Sequence, residues 1–284
     1  MVQQSLPGSQ PSPAEPAARK RFRVQHLAEH KTAGRKLTML TAYDTITGRI
    51  FDAAGVDMLL VGDSMGDNVL GYENTIPVTL DEMVLAARSV ARAAKHSMVV
   101  ADLPFGSYES SPQQAFASAV RMFKEAGVQA IKMEGGTRIA KHVELLTQSG
   151  IPVFGHLGFT PQSENMLGGK RIQGRGDEAA ERLCEDALAL QEAGAVAVVL
   201  EMVPAPVAAR ATEILRIPTI GIGAGSEVDG QVLVWTDMAG MGDWSPRFAK
   251  QFGQVGAALA GAAQAYVSEV QAQTFPAAEH QYEH

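Results

Sequence analysis

The chain has 284 residues, 46% of them hydrophobic, enough to bury the core of two average domains or of one α/β barrel. Its 24 Lys and Arg against 31 Asp and Glu give a net charge of −7 without any basic block, which argues against nucleic acid or an anionic membrane as partner. A single cysteine, Cys184, excludes an intrachain disulfide framework and fits a reducing, cytoplasmic setting, and no apolar stretch approaches the roughly 20 residues of a membrane span.

Residues 1–20 are rich in Ser, Pro, Gln and Ala without an apolar core, and read as a disordered tail rather than a secretory signal. Strand-like apolar runs then fall at Leu37–Thr41, 58–63, Met98–Asp102, Ala130–Glu134, 152–156, 196–201, 218–223 and 232–235, with helical patterns between them. Thr79-Leu80-Asp81-Glu82 is a capping box before a helix over 83–94. Ser111-Pro112-Gln113-Gln114 starts another, whose predicted apolar stripe is Phe116, Ala119, Val120 and Phe123. Gly55, Gly127, Gly150 and Gly194 stand where left-handed C-terminal caps are wanted. Cys184 lies in a helical pattern with Leu183, Ala187 and Leu188, which suits a buried, inert thiol. Residues 273–284 read as a second frayed end.

Eight strands alternating with helices predict the α/β class and a single (β/α)₈ TIM barrel over 21–272. The rival, a doubly wound open sheet, would carry a glycine-rich turn after its first strand, and here that strand ends Leu40-Thr41-Ala42-Tyr43-Asp44.

Four of the runs end in, or are punctuated by, an acid: Asp63, Asp102, Glu134 and Glu201. One such acid is ordinary helix capping, but four together converge on the C-terminal face of a barrel. Asp63 and Asp102, without a nearby His or Cys cluster, suit Mg²⁺ or Mn²⁺. Lys132 and Glu134 are two apart, share a strand face, and are predicted to point into the barrel as a charged pair. Glu201, across the barrel beside Val199, Met202 and Val203, suits a general base. His156 ends the fifth strand and reads equally as structural or catalytic. Gly221-Ile222-Gly223-Ala224-Gly225 is either a tight turn or an anion cradle. The glycine-flanked basic loop 168–176 is either a solvated loop or a lid over an acidic substrate.

Val61-Gly62-Asp63-Ser64, Ala101-Asp102-Leu103-Pro104, Ile131-Lys132-Met133-Glu134-Gly135-Gly136, the stretch from Gly155 to Ser163 and Gly221-Ile222-Gly223-Ala224-Gly225 occur in this order. Together they closely resemble the ketopantoate hydroxymethyltransferase family, from about residue 24 to 241. The resemblance implies a Mg²⁺-dependent barrel that transfers a hydroxymethyl group from 5,10-methylenetetrahydrofolate to 3-methyl-2-oxobutanoate through a Mg-stabilised enolate, giving 2-dehydropantoate for pantothenate biosynthesis. It assigns Asp63, Asp102 and Glu134 to the metal, and Asp63, Ser64, Asp102 and Lys132 to the keto acid. Glu201 becomes the base, and a homo-oligomer, a decamer, is expected. Arg171 and Arg175 are candidates for the folate glutamyl tail. After Asp63-Ser64-Met65-Gly66 the family usually has an uncharged residue where this chain has Asp67, a departure that bears on loop packing and metal affinity. The runner-up is a Mg²⁺-dependent α-keto acid lyase or mutase of the isocitrate lyase and phosphoenolpyruvate mutase type. Those enzymes typically carry a nucleophilic cysteine in a Lys-Lys-Cys-Gly-type loop, and Cys184 is not in such a context. A non-catalytic scaffold is the third reading, and the retained buried charges speak against it.

Overall fold

The structure is a computed structural model describing residues 19–282, so the expected N-terminal tail, 1–20, lies almost wholly outside the described residues. Its strands are β1 (Leu37–Thr41), β2 (Met58–Val61), β3 (Met98–Asp102), β4 (Ala130–Glu134), β5 (Val153–Gly158), β6 (Ala197–Glu201), β7 (Thr219–Ile222) and β8 (Gly230–Leu233). All pair in parallel with their sequence neighbours, and β8 closes on β1 through Leu37 opposite Gly230 and Met39 opposite Val232. Closure leaves no sheet edge unpaired.

The helices are α1 (Val24–Thr32), α2 (Thr45–Ala54), α3 (Met65–Asn68), α4 (Leu80–Ala93), α5 (Pro112–Arg121), α6 (Ala140–Gln148), α7 (Glu164–Leu167), α8 (Asp177–Glu192), α9 (Ala205–Ile214), α10 (Trp235–Ala239) and α11 (Val255–Gln271). The capping box forms as predicted: the Thr79 N–H donates to Glu82 Oε2 at 2.7 Å and the Glu82 N–H to Thr79 Oγ1 at 3.2 Å. Gly55, Gly127, Gly150 and Gly194 all have positive φ. Among the described residues, no helix is long and apolar enough to cross a membrane.

The period of two along each strand sorts the side chains into two cores. Met39, Met58, Leu60, Val100, Phe154 and Val199 belong to the cluster inside the barrel, while Leu59, Val99, Ile131, Met133 and Leu200 pack under the helices. Phe22 and Leu27, from the α1 region, join the inner cluster and close the barrel from below. One further inward step along the strands reaches Thr41, Asp102, Lys132, Glu134, His156 and Glu201 at their C-terminal ends. The barrel is apolar below and charged at its mouth.

Two local expectations shift, and one helix lies apart from the core. The eighth strand starts at Gly230, not 232, and Trp235 already opens α10. A Cβ at Gly230 would lie 2.7 Å from that of Leu37 and 2.8 Å from Ile220 Cδ1, so glycine lets the closing strand approach. The buried face of α5 is Ala115, Ser118 and Ala119, continued by Met122 in a π-turn, while Phe116 is turned outward. Finally, no residue of α11 is buried, although Leu259, Tyr266 and Val267 are apolar.

Candidate active site

The mouth of the barrel is built from paired strand ends. Register places Asp102 opposite Lys132 on β3 and β4, and Glu134 opposite His156 on β4 and β5. All four side chains are at most 4% exposed. Lys132 Nζ lies 2.9 Å from Asp102 Oδ1, so its ion-pair partner is on the adjacent strand rather than the predicted Glu134. Asp63 lies two residues beyond β2, and its N–H donates to Asp102 Oδ2 at 3.1 Å. Gly62 makes this approach feasible, since a Cβ there would meet Ser64 Oγ at 2.8 Å and Asp102 Oδ2 at 3.4 Å. Ser64 Oγ is 2.9 Å from the buried Tyr43 hydroxyl.

His156 links the two halves of this layer. Its Nδ1 is 3.2 Å from Lys132 Nζ and 3.3 Å from Glu134 Oε1, and its Nε2 is 3.3 Å from Glu201 Oε2. Glu201 therefore has a histidine partner as well as its apolar neighbours, and its side chain keeps 18% of its surface open toward the cavity. Gln162, in the turn after β5, shows no sequence signal of its own, yet it ties the acids together. Its amide donates to Asp63 Oδ2 at 2.7 Å and to the Leu103 carbonyl at 3.0 Å, and its main-chain N–H donates to Glu134 Oε2 at 3.0 Å. The buried Tyr108 hydroxyl donates to Gln162 Oε1 at 2.6 Å and orients that amide.

Electrostatics follow from burial and surplus negative charge. Burial raises the pKa of Asp63 well above the usual carboxylate range, and Asp102 and Glu134 raise it further. Burial opposes charge on Lys132, but Asp102, Glu134 and Asp63 outweigh it and hold the amine as an ammonium. For His156, burial and Lys132 oppose protonation, and the Glu134 and Glu201 carboxylates 3.3 Å away prevail, so its pKa is raised. Cys184 is buried on α8, where burial raises its thiol pKa, in keeping with an inert side chain.

Three buried carboxylates thus face one ammonium, and Glu134 Oε1 has no well-directed hydrogen-bond donor. Hard oxygen donors with surplus negative charge fit a hard divalent cation. Among the described residues, no three His, Cys, Asp or Glu side chains close into a complete metal cage.

Above this layer opens a cavity of about 1150 Å³. The basic loop after β5 contributes Lys170 and Ile172 to its wall, anchored by the Gln173 N–H donating to the Met202 carbonyl at 3.0 Å. Arg171 and Arg175 are exposed and do not line it, whereas Arg247 does. The glycine run after β7 is a tight packing turn, since a Cβ at Gly223 (φ +65°) would sit 2.9 Å from the Phe248 ring.

A closed (β/α)₈ barrel with a buried acid–lysine layer at its C-terminal mouth defines a barrel enzyme. The family model described as ketopantoate hydroxymethyltransferase matches residues 21–278, and the chain belongs to that family. It is 57% identical over 266 residues to the 3-methyl-2-oxobutanoate hydroxymethyltransferase of Saccharopolyspora erythraea, covering 93% of this chain and 90% of that one. Among solved structures it resembles a 2,3-dimethylmalate lyase of the phosphoenolpyruvate mutase and isocitrate lyase superfamily (TM-score 0.58, 17% identity, 87% of each chain). It also resembles a phosphonopyruvate hydrolase in complex with oxalate and Mg²⁺ (TM-score 0.59, 13% identity, 90% of this chain and 92% of that one). At those identities the likeness to the lyase and the hydrolase is one of fold.

Proposed function

We propose that this chain transfers a hydroxymethyl group from 5,10-methylenetetrahydrofolate to 3-methyl-2-oxobutanoate, giving 2-dehydropantoate. The observation that carries the reading is the Asp102–Lys132 pair beside Glu201 at the barrel mouth, in a chain of the ketopantoate hydroxymethyltransferase family. A lyase or mutase activity has only the low-identity fold likeness in its favour.

Asp63, Asp102 and Glu134 would hold Mg²⁺, which when bound polarises the keto group as a Lewis acid. The chain's own residues do the rest. Ser64 receives the substrate carboxylate, and the Lys132 ammonium faces the keto oxygen. Glu201 takes the C3 proton, and the electron pair moves onto the keto oxygen, where Lys132 stabilises it. C3 then bonds the transferred carbon held beside it. Water supplies the hydroxyl oxygen, both C–N bonds of the methylene bridge break, and the two folate nitrogens take up one proton from that water and the one Glu201 removed. His156, against both Glu134 and Glu201, positions the base.

For the folate glutamyl tail, Lys170 and Arg247 are better placed than Arg171 or Arg175, because they line the cavity. We also infer a homo-oligomer, a decamer as in the family, which the exposed apolar side of α11 supports, and a cytoplasmic enzyme, in keeping with the lone thiol. Light scattering gives the oligomer mass.

The activity is tested by product formation with and without methylenetetrahydrofolate. Glu201→Gln should bind the keto acid yet lose C3 proton exchange with D₂O by about 10²–10⁴-fold, read by NMR. Exchange at the wild-type rate would remove Glu201 from the base role.

A further inference from the structure

A five-carbon keto acid needs only the floor of the cavity, whose volume of about 1150 Å³ exceeds the roughly 300–1,000 Å³ of sites for drug-sized ligands. One wall, above β8, β1 and β2, carries polar groups that the chemistry at the floor does not use. The Trp235 N–H donates to Thr41 Oγ1 and Thr236 Oγ1 to Asn68 Oδ1, both at 2.9 Å, which ties α10 to β1 and to α3. These bonds bring Asp237 and Asp67, each next in sequence to a bonded residue, to the same wall, and both line the cavity.

The Asp237 carboxylate is half-buried and has no hydrogen-bond or ion-pair partner among the described residues. Burial and then Asp67 raise its pKa, while Lys170 lowers it. The segment bearing Asn74 and Thr75 packs on α3, where a Cβ at Gly66 would meet Asn74 O at 3.2 Å. Asn74 accepts the Ile76 N–H on its amide oxygen at 3.0 Å, leaving its NH₂ to donate. Thr75 is only 4% exposed, lines the cavity, and its hydroxyl has no partner. A half-buried carboxylate and a buried hydroxyl, both without partners in a wall lining a cavity, call for a ligand that supplies what the protein does not.

That wall offers a carboxylate acceptor on α10 and, on the segment packed against the α3 helix to which α10 is bonded, an amide and a hydroxyl donor. The pyrimidinone edge of a reduced pterin presents the complement: two adjacent N–H donors, at N3 and the 2-amino group, beside a 4-oxo acceptor. Building on the proposed folate-dependent transfer, we propose that Asp237, with Asn74 and Thr75, binds this edge of the folate co-substrate. The two N–H groups donate to the carboxylate as a bidentate pair, and the oxo group accepts from Asn74 or Thr75. Asp67, the acid by which this chain departs from its family's pattern, adds negative charge that favours a donor-rich edge and repels anions.

Calorimetric titration of the full chain with four probes tests the assignment: tetrahydrofolate, 6-methyltetrahydropterin, p-aminobenzoylglutamate and 3-methyl-2-oxobutanoate. Asp237→Asn keeps the shape but reverses one acceptor. It should weaken both pterin-bearing ligands at least tenfold, while the other two stay within twofold. Thr75→Val, a near-isostere, should weaken the same two by about three- to tenfold. Unchanged pterin affinity in both variants, or an equal loss for p-aminobenzoylglutamate, would overturn it. A wild-type chain that binds the keto acid but no folate refutes the transfer reading itself, and this assignment with it.

Discussion

Replacing Gln162 with leucine removes the hydrogen-bond frame beneath the acids while keeping a side chain of similar size. Three side-chain bonds are lost: donation to Asp63 Oδ2 and to the Leu103 carbonyl, and acceptance from Tyr108 Oη. The main-chain bond to Glu134 Oε2 can persist. A bond to a charged group contributes about 1.5–3 kcal/mol and a neutral one about 1 kcal/mol, and all three partners are buried. The loss should total roughly 4 kcal/mol. At about 2–4 °C per kcal/mol for a domain of this size class, Tm should fall by about 10 °C, read by circular dichroism. Keto-acid binding should weaken with it, because Asp63 loses the donor that orients it. A fall in Tm below about 2 °C with unchanged binding would refute the assignment of Gln162 as the frame of the site.

Asp52 accepts N–H bonds from Lys95, His96 and Ser97 at 3.1, 2.9 and 2.6 Å. Burial opposes its ionisation, and these donors outweigh it, so its pKa is lowered. The stability it contributes is therefore complete above the ordinary carboxylate value of about 3.9 and is lost as pH falls through the lower folded value. Asp52→Asn should cost about 2 kcal/mol at pH 7, and denaturant titrations should show the gap narrowing below about pH 4. Gly158→Ala places a Cβ against the Glu201 carbonyl at a φ of +91°, so the end of β6 must move. We expect a destabilisation of about 2–4 kcal/mol and at least a tenfold loss of C3 exchange, measured by denaturation and NMR. Arg247→Ala should raise the folate KM about tenfold and leave the keto-acid KM unchanged. Arg171→Ala and Arg175→Ala should move neither.

The barrel was legible because strands buried on both faces leave short apolar runs, and because alternation says which residues look inward. Ile131 and Met133 outside, Lys132 and Glu134 inside, follow from that period alone. What alternation does not carry is register between strands. It is register that gives Lys132 to Asp102 and sets His156 beside Glu134. Gln162, Tyr108 and Asn74 stand in turns and Asp237 on the five-residue α10, where too little regular structure runs to show a period and a polar residue looks like any solvated one. The misplaced start of β8 has a related cause: Gly230 and Gln231 lack the apolar signature, and their pairing is decided by β1 across the closure.

The two walls of the cavity are attached to the molecule differently. The acids and Lys132 ride on or just beyond strand ends locked into a continuous ring of ladder bonds, so none of them moves without its neighbours. Asp67, Asn74 and Asp237 ride on short helices and a loop fastened by a few side-chain bonds, chiefly that between Thr236 and Asn68. A substitution in the second wall therefore disturbs fewer bonded neighbours than one in the first. Asp67 thus stands above a ring that is held together independently of it, and a change at position 67 reaches the ring only through the few bonds of α3 and α10.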